Sequence, residues 1–232
     1  MSRIRLAPSG HEIEAEAGDT VLAALERAGY ALANNCRAGA CGECKTKVLD
    51  GDYDQGMVLS MALSAADRDD GYGLMCMATP LSDVVEIDYG TLDAKPRLFP
   101  PRTGVPHLVV DRIDRTPRML ELRLRPLGDP LRYWPGQYVM LGDEPNGVPK
   151  RCYSLASAPR PDGELVLLVT RVAGGAASNW IHDQVGLGDQ VLVDGAYGTF
   201  IGDPATDTPV VCLAAGSGLA PIMSLSDAAL RR

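Results

Sequence analysis

Four of the six cysteines in this chain have the spacing of a metal–thiolate site. Three lie in one loop with the pattern C-x4-C-x2-C, and the fourth follows much later: Cys36, Cys41, Cys44 and Cys76. Three thiolates from one loop and one from a distant strand are the ligands that a [2Fe–2S] cluster needs. Gly39 and Gly42 permit unusual backbone angles, and the small Ala38 and Ala40 let amide N–H groups approach the sulfur atoms. The motif therefore predicts a [2Fe–2S] cluster.

Other uses of cysteine fit the pattern less well. Structural zinc sites pair two short cysteine knuckles, whereas Cys76 has no second cysteine near it. The N-terminus has no apolar run that would serve as a secretory signal, which disfavours disulfides. Buried thiols alone would not explain the spacing. The remaining Cys152 and Cys212 stand alone in apolar segments and are predicted to be packed core thiols.

The elements predicted around the motif form a small sheet crossed by one helix. Residues 3–6 and 11–16 form a hairpin, and a helix over 21–28, capped by Asp19 or Thr20, leads into the cysteine loop. The other predicted elements are strands near 45–49, 74–78 and 84–87 and a short helix that begins at Ser64. This is the β-grasp plan of an α+β domain, and it resembles plant-type ferredoxins.

A second, all-β domain is predicted after a proline-rich linker over residues 93–104. Short apolar strands separated by Pro and Gly turns then recur, as in a small antiparallel six-stranded β-barrel. The predicted strands are the segments HLVVDRI, MLELRLRP, GQYVMLG, CYSLASA, ELVLLVTRV and QVLVDGA.

Two segments of this barrel suit a flavin dinucleotide. Arg151 supplies a bidentate cation for a pyrophosphate, and Gly175–Ser178 place amide groups at the start of a predicted helix. The ring of Tyr153 offers a flat surface for an isoalloxazine, and the Ser154 hydroxyl offers a hydrogen bond to a ring nitrogen.

The order of these motifs resembles the ferredoxin–NADP reductase superfamily. The motifs are Pro135-Gly136-Gln137-Tyr138, Arg151-x-Tyr153-Ser154, Gly174-Gly175-x-x-Ser178 and Gly195-x-Tyr197-Gly198-x-Phe200. The resemblance implies that Arg151 binds the FAD pyrophosphate, Tyr153 packs on the flavin and Ser154 contacts flavin N5. These last two are the predicted catalytic residues. The resemblance also implies that Val169, Gly174, Gly175, Ala177 and Ser178 are cofactor-binding residues. The segment from Gly195 to Phe200 is expected to shape the passage between the flavin and the pyridine nucleotide.

A third domain is predicted to begin near the end of the chain. Residues 208–215 read as a buried parallel strand, followed by Gly216-Ser217-Gly218 and a helix through residues 223–230. Strand, glycine loop and helix are the start of a nucleotide-binding α/β unit, so Gly216 and Gly218 are predicted to bind NAD(P)H. The residue that reads the ribose would lie past Arg232, which predicts a truncated nucleotide domain. A natural short form, with this unit packed elsewhere, is the alternative.

The net negative charge lies in one part of the chain. Residues 1–92 hold 15 Asp+Glu against 7 Lys+Arg, which accounts for the whole net charge of −8. An acidic surface either steers the domain towards a basic partner or only keeps it soluble, and the composition does not choose between these. Nucleic-acid binding, which needs a basic face, is disfavoured. The absence of a signal or of a long apolar run predicts a cytoplasmic chain with no membrane segment.

The resulting domain plan resembles the reductase components of bacterial multicomponent oxygenases. The predicted bounds are a ferredoxin domain over 1–92, a linker over 93–104, an FAD-binding barrel over 105–203 and the start of an NAD(P)-binding domain over 204–232. The resemblance implies electron transfer from NAD(P)H, with NADH preferred, through FAD and the cluster to an oxygenase or hydroxylase component. The alternatives are a non-enzymatic electron-transfer module that cannot use NAD(P)H and a zinc-bearing binding protein. The sequence leaves the oligomeric state open.

Overall fold

The structure is a computed structural model that describes residues 2–202 and 209–231. The chain divides into two compact units, Met1–Pro100 and Pro101–Arg232. Each unit has its own core of buried apolar side chains. Among the described residues, no helix is both long and apolar enough to cross a membrane.

The first unit is a mixed sheet with one crossing helix. Its elements are β1 (Ser2–Pro8), β2 (His11–Ala15), α1 (Val21–Arg27), β3 (Lys45–Asp50), β4 (Tyr53–Asp54), α2 (Ala65–Asp69), β5 (Tyr72–Leu74), β6 (Thr79–Pro80) and β7 (Val84–Thr91). Five strands form one sheet in the order β2-β1-β7-β3-β5, and β1 runs parallel to β7. Strands β4 and β6 pair separately. The predicted β-grasp fold is confirmed.

The sequence pattern explains these elements. Ile4 and Leu6 alternate with polar residues along β1 and face the core, where Leu25 of α1 meets them. Burying one such leucine contributes about 1.5–3 kcal/mol. The Thr20 hydroxyl accepts a hydrogen bond from the Ala23 amide and so caps α1, and Ser64 caps α2 in a capping box.

The strand predicted near residues 74–78 is wrong. The strand ends at Leu74, and residues 75–77 form a turn in which the Met77 amide bonds to the Leu74 carbonyl. The start of α1 uses the turn, because the amides of Val21 and Leu22 donate to the carbonyls of Ala78 and Met75. Satisfying the helix N-terminus diverts this segment from the sheet. Cys76 therefore lies on a turn.

The second unit is a curled antiparallel sheet of six strands. Its elements are β8 (Arg102–Thr116), β9 (Met119–Pro126), β10 (Tyr138–Asp143), β11 (Val148–Ser154), β12 (Leu165–Thr170), α3 (Ala176–Asp183), β13 (Gln190–Tyr197) and α4 (Leu219–Leu230). The strand order is β11-β10-β13-β8-β9-β12. Leu155, the residue after β11, forms a single bridge with Leu167 of β12, so the sheet curls into a partly closed barrel, and the predicted six-stranded antiparallel fold is confirmed. Strand β8 begins inside the segment predicted as a linker.

The strand predicted over residues 208–215 is wrong for the part that can be described. Residue 208 lies outside the described residues, and residues 209–215 form no strand. Val210, Val211 and Leu213 are exposed, and no described strand pairs with this segment. A strand needs such a neighbour to satisfy its backbone. The predicted helix does form, as α4.

Helix α4 is fixed to the barrel by polar contacts. The Ser224 hydroxyl donates to the Ser157 carbonyl at 2.7 Å, and the Asp227 carboxylate accepts from the Ala158 amide at 3.0 Å. Ala220 is buried beside Ala156. These contacts make α4 part of the second unit.

Candidate functional site

The structure brings the four motif cysteines together as two pairs. Cys36 lies within hydrogen-bonding reach of Cys41, and Cys44 lies within reach of Cys76. Both sulfurs of the first pair come from the loop, whereas the second pair joins the loop to the turn after β5. The second pair brings together two cysteines that are 32 residues apart in the sequence.

Backbone amides surround these sulfurs. The N–H groups of Ala38 and Ala40 donate to Cys36 Sγ at 3.5 and 3.4 Å. Burial raises the pKa of Cys36, but the amide hydrogen bonds outweigh it and the net pKa is lowered. The hydrogen bond from Cys44 lowers the pKa of Cys76 to about 6 and raises that of Cys44. The surroundings therefore favour the thiolate form at Cys36 and Cys76.

The donor set fits a two-iron cluster. Within residues 2–202 and 209–231, no group of three or more His, Cys, Asp or Glu side chains is placed to hold a single metal ion. A tetrahedral zinc site needs three or four ligands around one centre. Two adjacent thiol pairs, four sulfurs in all, instead suit two irons that each take two thiolates.

An ion pair that the sequence analysis missed fixes the cysteine loop to α1. Arg37 donates to Glu26 across 2.5 Å, and Glu26 is only 4% exposed. Burial raises the pKa of Glu26, while Arg37 opposes the shift. Arg37 also has a positive φ of 54°, which is unusual for a residue with a side chain. The tertiary pairing of a helix residue with a loop residue leaves no local sequence signal.

The predicted flavin residues lie together at the end of strand β11. Arg151 is exposed, and its guanidinium donates to the Lys150 carbonyl. Tyr153 packs against the barrel core, and burial raises its pKa to about 12. The Ser154 hydroxyl is half-buried and has no hydrogen-bond partner among the described residues. The strand therefore presents a cation, an aromatic ring and a hydroxyl.

The glycine turn lies at the start of α3, which packs against β11. The first intrahelical hydrogen bond runs from the Asn179 amide to the Gly175 carbonyl, so the amides of residues 176–178 lie at the open end. Gly174 has a positive φ of 71°, and a Cβ there would meet nothing within 4 Å, which leaves its backbone open to a ligand. These amides and Arg151 fit a pyrophosphate.

Two of the predicted flavin residues are engaged within the protein. The Ser178 hydroxyl accepts from the Val172 amide at 3.1 Å and donates to the Gly175 carbonyl, so its side chain shapes the turn. Val169 is fully buried in the barrel core, and its carbonyl contacts the His182 ring at 3.0 Å. Ala177 is buried in the first turn of α3.

The predicted nucleotide residues lie apart from this core. Gly216 and Gly218 form an exposed turn before α4, and a Cβ on either would meet nothing within 4 Å. The prediction that Cys152 and Cys212 are core thiols is wrong, because both are exposed. Cys152 lies on an outer strand, and Cys212 lies in the segment without a strand partner.

Gln137 ties the motifs of the second unit together. Its side-chain oxygen accepts from the Trp134 amide at 2.8 Å, and its amide nitrogen donates to the Gly198 carbonyl at 2.9 Å. Gly198 has a φ of 92°, and a Cβ there would lie 2.8 Å from the ring of Tyr138. The motif order indicated these positions but gave Gln137 no role.

Both units match known domain families. Residues 4–81 match the 2Fe-2S iron-sulfur cluster binding domain, and residues 109–201 match the oxidoreductase FAD-binding domain. A [2Fe–2S] cluster and FAD are therefore the cofactors of this chain. Together with the thiol pairs and the barrel, these matches define an iron–sulfur flavoprotein.

Proteins similar over the whole chain are reductase components. The chain is 37% identical over 229 residues to the reductase subunit of an aromatic O-demethylase from Amycolatopsis, with 96% of this chain and 66% of the relative covered. It is 31% identical over 227 residues to the ferredoxin–NAD(+) reductase component of the alkene monooxygenase system of Xanthobacter autotrophicus, with 96% and 67% covered. The solved structure of the Amycolatopsis cytochrome P450 reductase GcoB matches with a TM-score of 0.88 and 34% identity, over 100% of this chain and 68% of that one.

The chain belongs to the family of oxygenase reductase components that join a [2Fe–2S] ferredoxin domain to an FAD-binding domain. It spans 60% to 67% of the length of the curated relatives it matches.

Proposed function

We propose that the chain forms the flavin- and cluster-bearing part of a reductase that moves electrons from NADH to an oxygenase or hydroxylase component. The observation that carries this proposal is the combination, in one chain, of the paired cysteines with the Arg-x-Tyr-Ser strand of the barrel. FAD supplies two-electron chemistry with a hydride donor, and a [2Fe–2S] cluster supplies one-electron chemistry.

The residues of the second unit bind and orient the flavin. Arg151 and the first-turn amides of α3 hold the pyrophosphate, since both are open and both favour an anion. Tyr153 would pack on the ring system, and the Ser154 hydroxyl, which has no partner among the described residues, would be free to hydrogen-bond a flavin ring nitrogen. Ser178 acts through its backbone, because its hydroxyl holds the turn.

The residues of the first unit hold the cluster and adjust its potential. Cys36 and Cys41 would hold one iron, and Cys44 and Cys76 would hold the other. Hydrogen bonds to the ligand sulfurs, here from the amides of Ala38 and Ala40, stabilise the added negative charge of the reduced state.

NADH is the proposed electron donor. A relative that shares 31% identity is named a ferredoxin–NAD(+) reductase component. Gly216 and Gly218, before α4, are the residues of this chain proposed to meet the dinucleotide. The anchoring of α4 by Ser224 and Asp227 supports a fixed position for this turn relative to the barrel.

An anaerobic absorbance titration with NADH and then dithionite, together with iron, sulfide and flavin counts, tests the proposal. We expect two irons, two sulfides and one FAD per chain. We also expect NADH to bleach both chromophores. A colourless protein that contains zinc would contradict the cofactor assignment.

A second candidate function is an electron-transfer module that does not use NADH. The exposed segment 209–215, which pairs with no described strand, favours it, because a dinucleotide site is normally built at the edge of a parallel sheet. In the same titration, this candidate predicts that only dithionite reduces the two chromophores.

A further inference from the structure

Three large apolar side chains are exposed together on the segment after β4. Met57 is 87% exposed, Leu59 is 52% exposed and Met61 is 85% exposed. The neighbouring Ala62 and Leu63 are buried, so the segment is packed in place and these three side chains point outward. We call Met57, Leu59 and Met61 the methionine patch. Contiguous exposed apolar side chains of this size usually mark an interaction site.

The backbone of the methionine patch lies against the cysteine loop. The Leu59 amide donates to the Gly39 carbonyl at 2.9 Å. A Cβ on Gly39 would lie 2.9 Å from the Met57 carbonyl oxygen, and one on Gly42 would lie 3.3 Å from the Ala62 carbonyl oxygen. Both glycines lie between ligands of the predicted cluster. The patch therefore borders the cluster on the side where Cys41 is exposed.

The charges near the patch are acidic. Glu43, between Cys41 and Cys44, is exposed and has no ion-pair partner among the described residues. Asp54 lies just before the patch, and its carboxylate accepts a hydrogen bond from the Gly56 amide. The nearby cation Lys45 is paired with Asp67 at 2.9 Å. Residues 1–92 hold 15 Asp+Glu against 7 Lys+Arg, so the unit that carries the patch is acidic.

We propose that the methionine patch is the docking surface for a protein electron acceptor with an apolar centre and a basic rim. The proposal rests on the proposed function, in which electrons leave through the cluster. Electron transfer becomes slow as the distance between redox centres grows, so an acceptor must cover the surface that borders the cluster. Flexible methionines suit an apolar docking surface, and opposite charge at the rim guides the approach.

The test uses a basic cytochrome c as the acceptor probe and ferricyanide as a small acceptor that needs no docking surface. Met57→Gln/Met61→Gln should weaken binding of the oxidised protein to the cytochrome roughly tenfold, as measured by isothermal titration calorimetry. It should slow cytochrome reduction by the dithionite-reduced protein by a similar factor and leave ferricyanide reduction unchanged. Met57→Leu/Met61→Leu, which keeps the apolar surface, should behave as the original protein.

Leu49→Gln/Leu81→Gln is the matched control. Both leucines are also exposed, but Leu49 is near the far end of β3, about 16 Å along the strand from Cys44. The Leu81 amide bonds to the Asp52 carbonyl at that same end. This control should bind and reduce the cytochrome normally.

Three results would overturn the docking surface. They are unchanged cytochrome binding in Met57→Gln/Met61→Gln, an equal loss in the leucine control, and a dimer that the methionine changes convert to a monomer. If the original protein reduces neither acceptor, the proposed function fails. In that case the calorimetric binding measurement on the oxidised protein still tests the docking surface, because it does not depend on electron transfer.

Discussion

In the first unit, the residues predicted to hold the cluster lie on an irregular loop between α1 and β3 and on the turn after β5. In the second unit, the residues predicted to hold FAD lie on a regular strand, β11, and at the start of α3. The cysteine loop depends on glycines at positive φ and on a buried ion pair to hold its shape. The flavin residues are positioned by the β10–β11 pairing and by α3, and both elements are held by their own backbone hydrogen bonds. We expect cofactor loss to be abrupt in the first unit and graded in the second.

The strongest test of this difference is Cys41→Ser. Because four thiolates share two irons, we expect one missing ligand to abolish the visible absorption and the paramagnetic signal of the cluster while FAD stays bound. Cys212→Ser, at an exposed cysteine outside both the cluster motif and the flavin motifs, should leave both cofactors in place. A normal cluster in Cys41→Ser would remove Cys41 from the ligand set.

The corresponding change in the second unit is Arg151→Ala. We expect it to weaken FAD by about 1.5–3 kcal/mol through loss of a charge-assisted hydrogen bond, with the other contacts retained. Fluorescence titration of the flavin-depleted protein measures this effect. Arg151→Lys keeps the positive charge but not the bidentate guanidinium. Its FAD affinity should lie between those of the original protein and Arg151→Ala. Unchanged affinity in Arg151→Ala would place the pyrophosphate elsewhere.

Glu26→Gln tests whether the ion pair supports the cysteine loop. The change leaves the half-buried Arg37 without its counter-charge, and we expect about 1–3 kcal/mol lower free energy of unfolding of the first unit. Denaturant unfolding followed by the cluster absorbance measures it. Asp19→Asn removes one of the two carboxylates that pair with Arg27 at the end of the same helix and should cost about 0–1 kcal/mol. If the two changes lower the free energy of unfolding equally, the ion pair of Glu26 does not support the cysteine loop more than an exposed ion pair would.

The smallest effect concerns pH and His107 in the barrel. His107 is fully buried, its Nδ1 contacts the Val105 carbonyl at 3.0 Å, and its Nε2 has no partner among the described residues. Burial lowers its pKa from 6.5, and the charge of Arg102 acts in the same direction. The unfolded chain thus binds the proton more readily. The stability that neutral His107 contributes is present above pH 6.5 and is lost as the pH falls below it.

His107→Gln should remove this loss. As the pH falls below 6.5, we expect the free energy of unfolding of the second unit to fall less steeply in the variant than in the original protein. Denaturant unfolding followed by flavin fluorescence measures it at each pH. His11→Gln, in the first unit, is the control that should keep the full pH dependence. If the free energy of unfolding depends on pH equally in His107→Gln and the original protein, His107 is not the group that causes the pH dependence.

The cluster motif and the elements around it could be predicted from local sequence. The cysteine spacing and the capped α1 carry short-range signals, because ligand spacing and helix capping act over a few residues, whereas the flavin roles on the Arg-x-Tyr-Ser strand came from the order of motifs and the resemblance it carries. The β-grasp and barrel plans followed from the same patterns.

The errors arose where tertiary contacts decided the outcome. The turn at residues 75–77 forms because α1 needs carbonyl partners, and the apolar run at 209–215 forms no strand because no described strand lies beside it. The pairing of Glu26 with Arg37 and the internal hydrogen bonds of Ser178 likewise depend on the folded chain. Residue type gave the chemistry of these groups but not their partners.

The bridge between Leu155 and Leu167 also bears on how the protein behaves at high concentration. It pairs Leu155, the residue after β11, with β12 at one position, and β11 itself has only β10 as a neighbour in the described sheet, so part of its edge stays open to backbone pairing. In the first unit, β2 lies at the edge of the sheet and carries Glu12 and Glu14. Charged side chains on an edge strand disfavour the addition of a further strand. The two units therefore differ in how their sheet edges are protected: charge covers the β2 edge of the first, whereas the second is closed only beside Leu155.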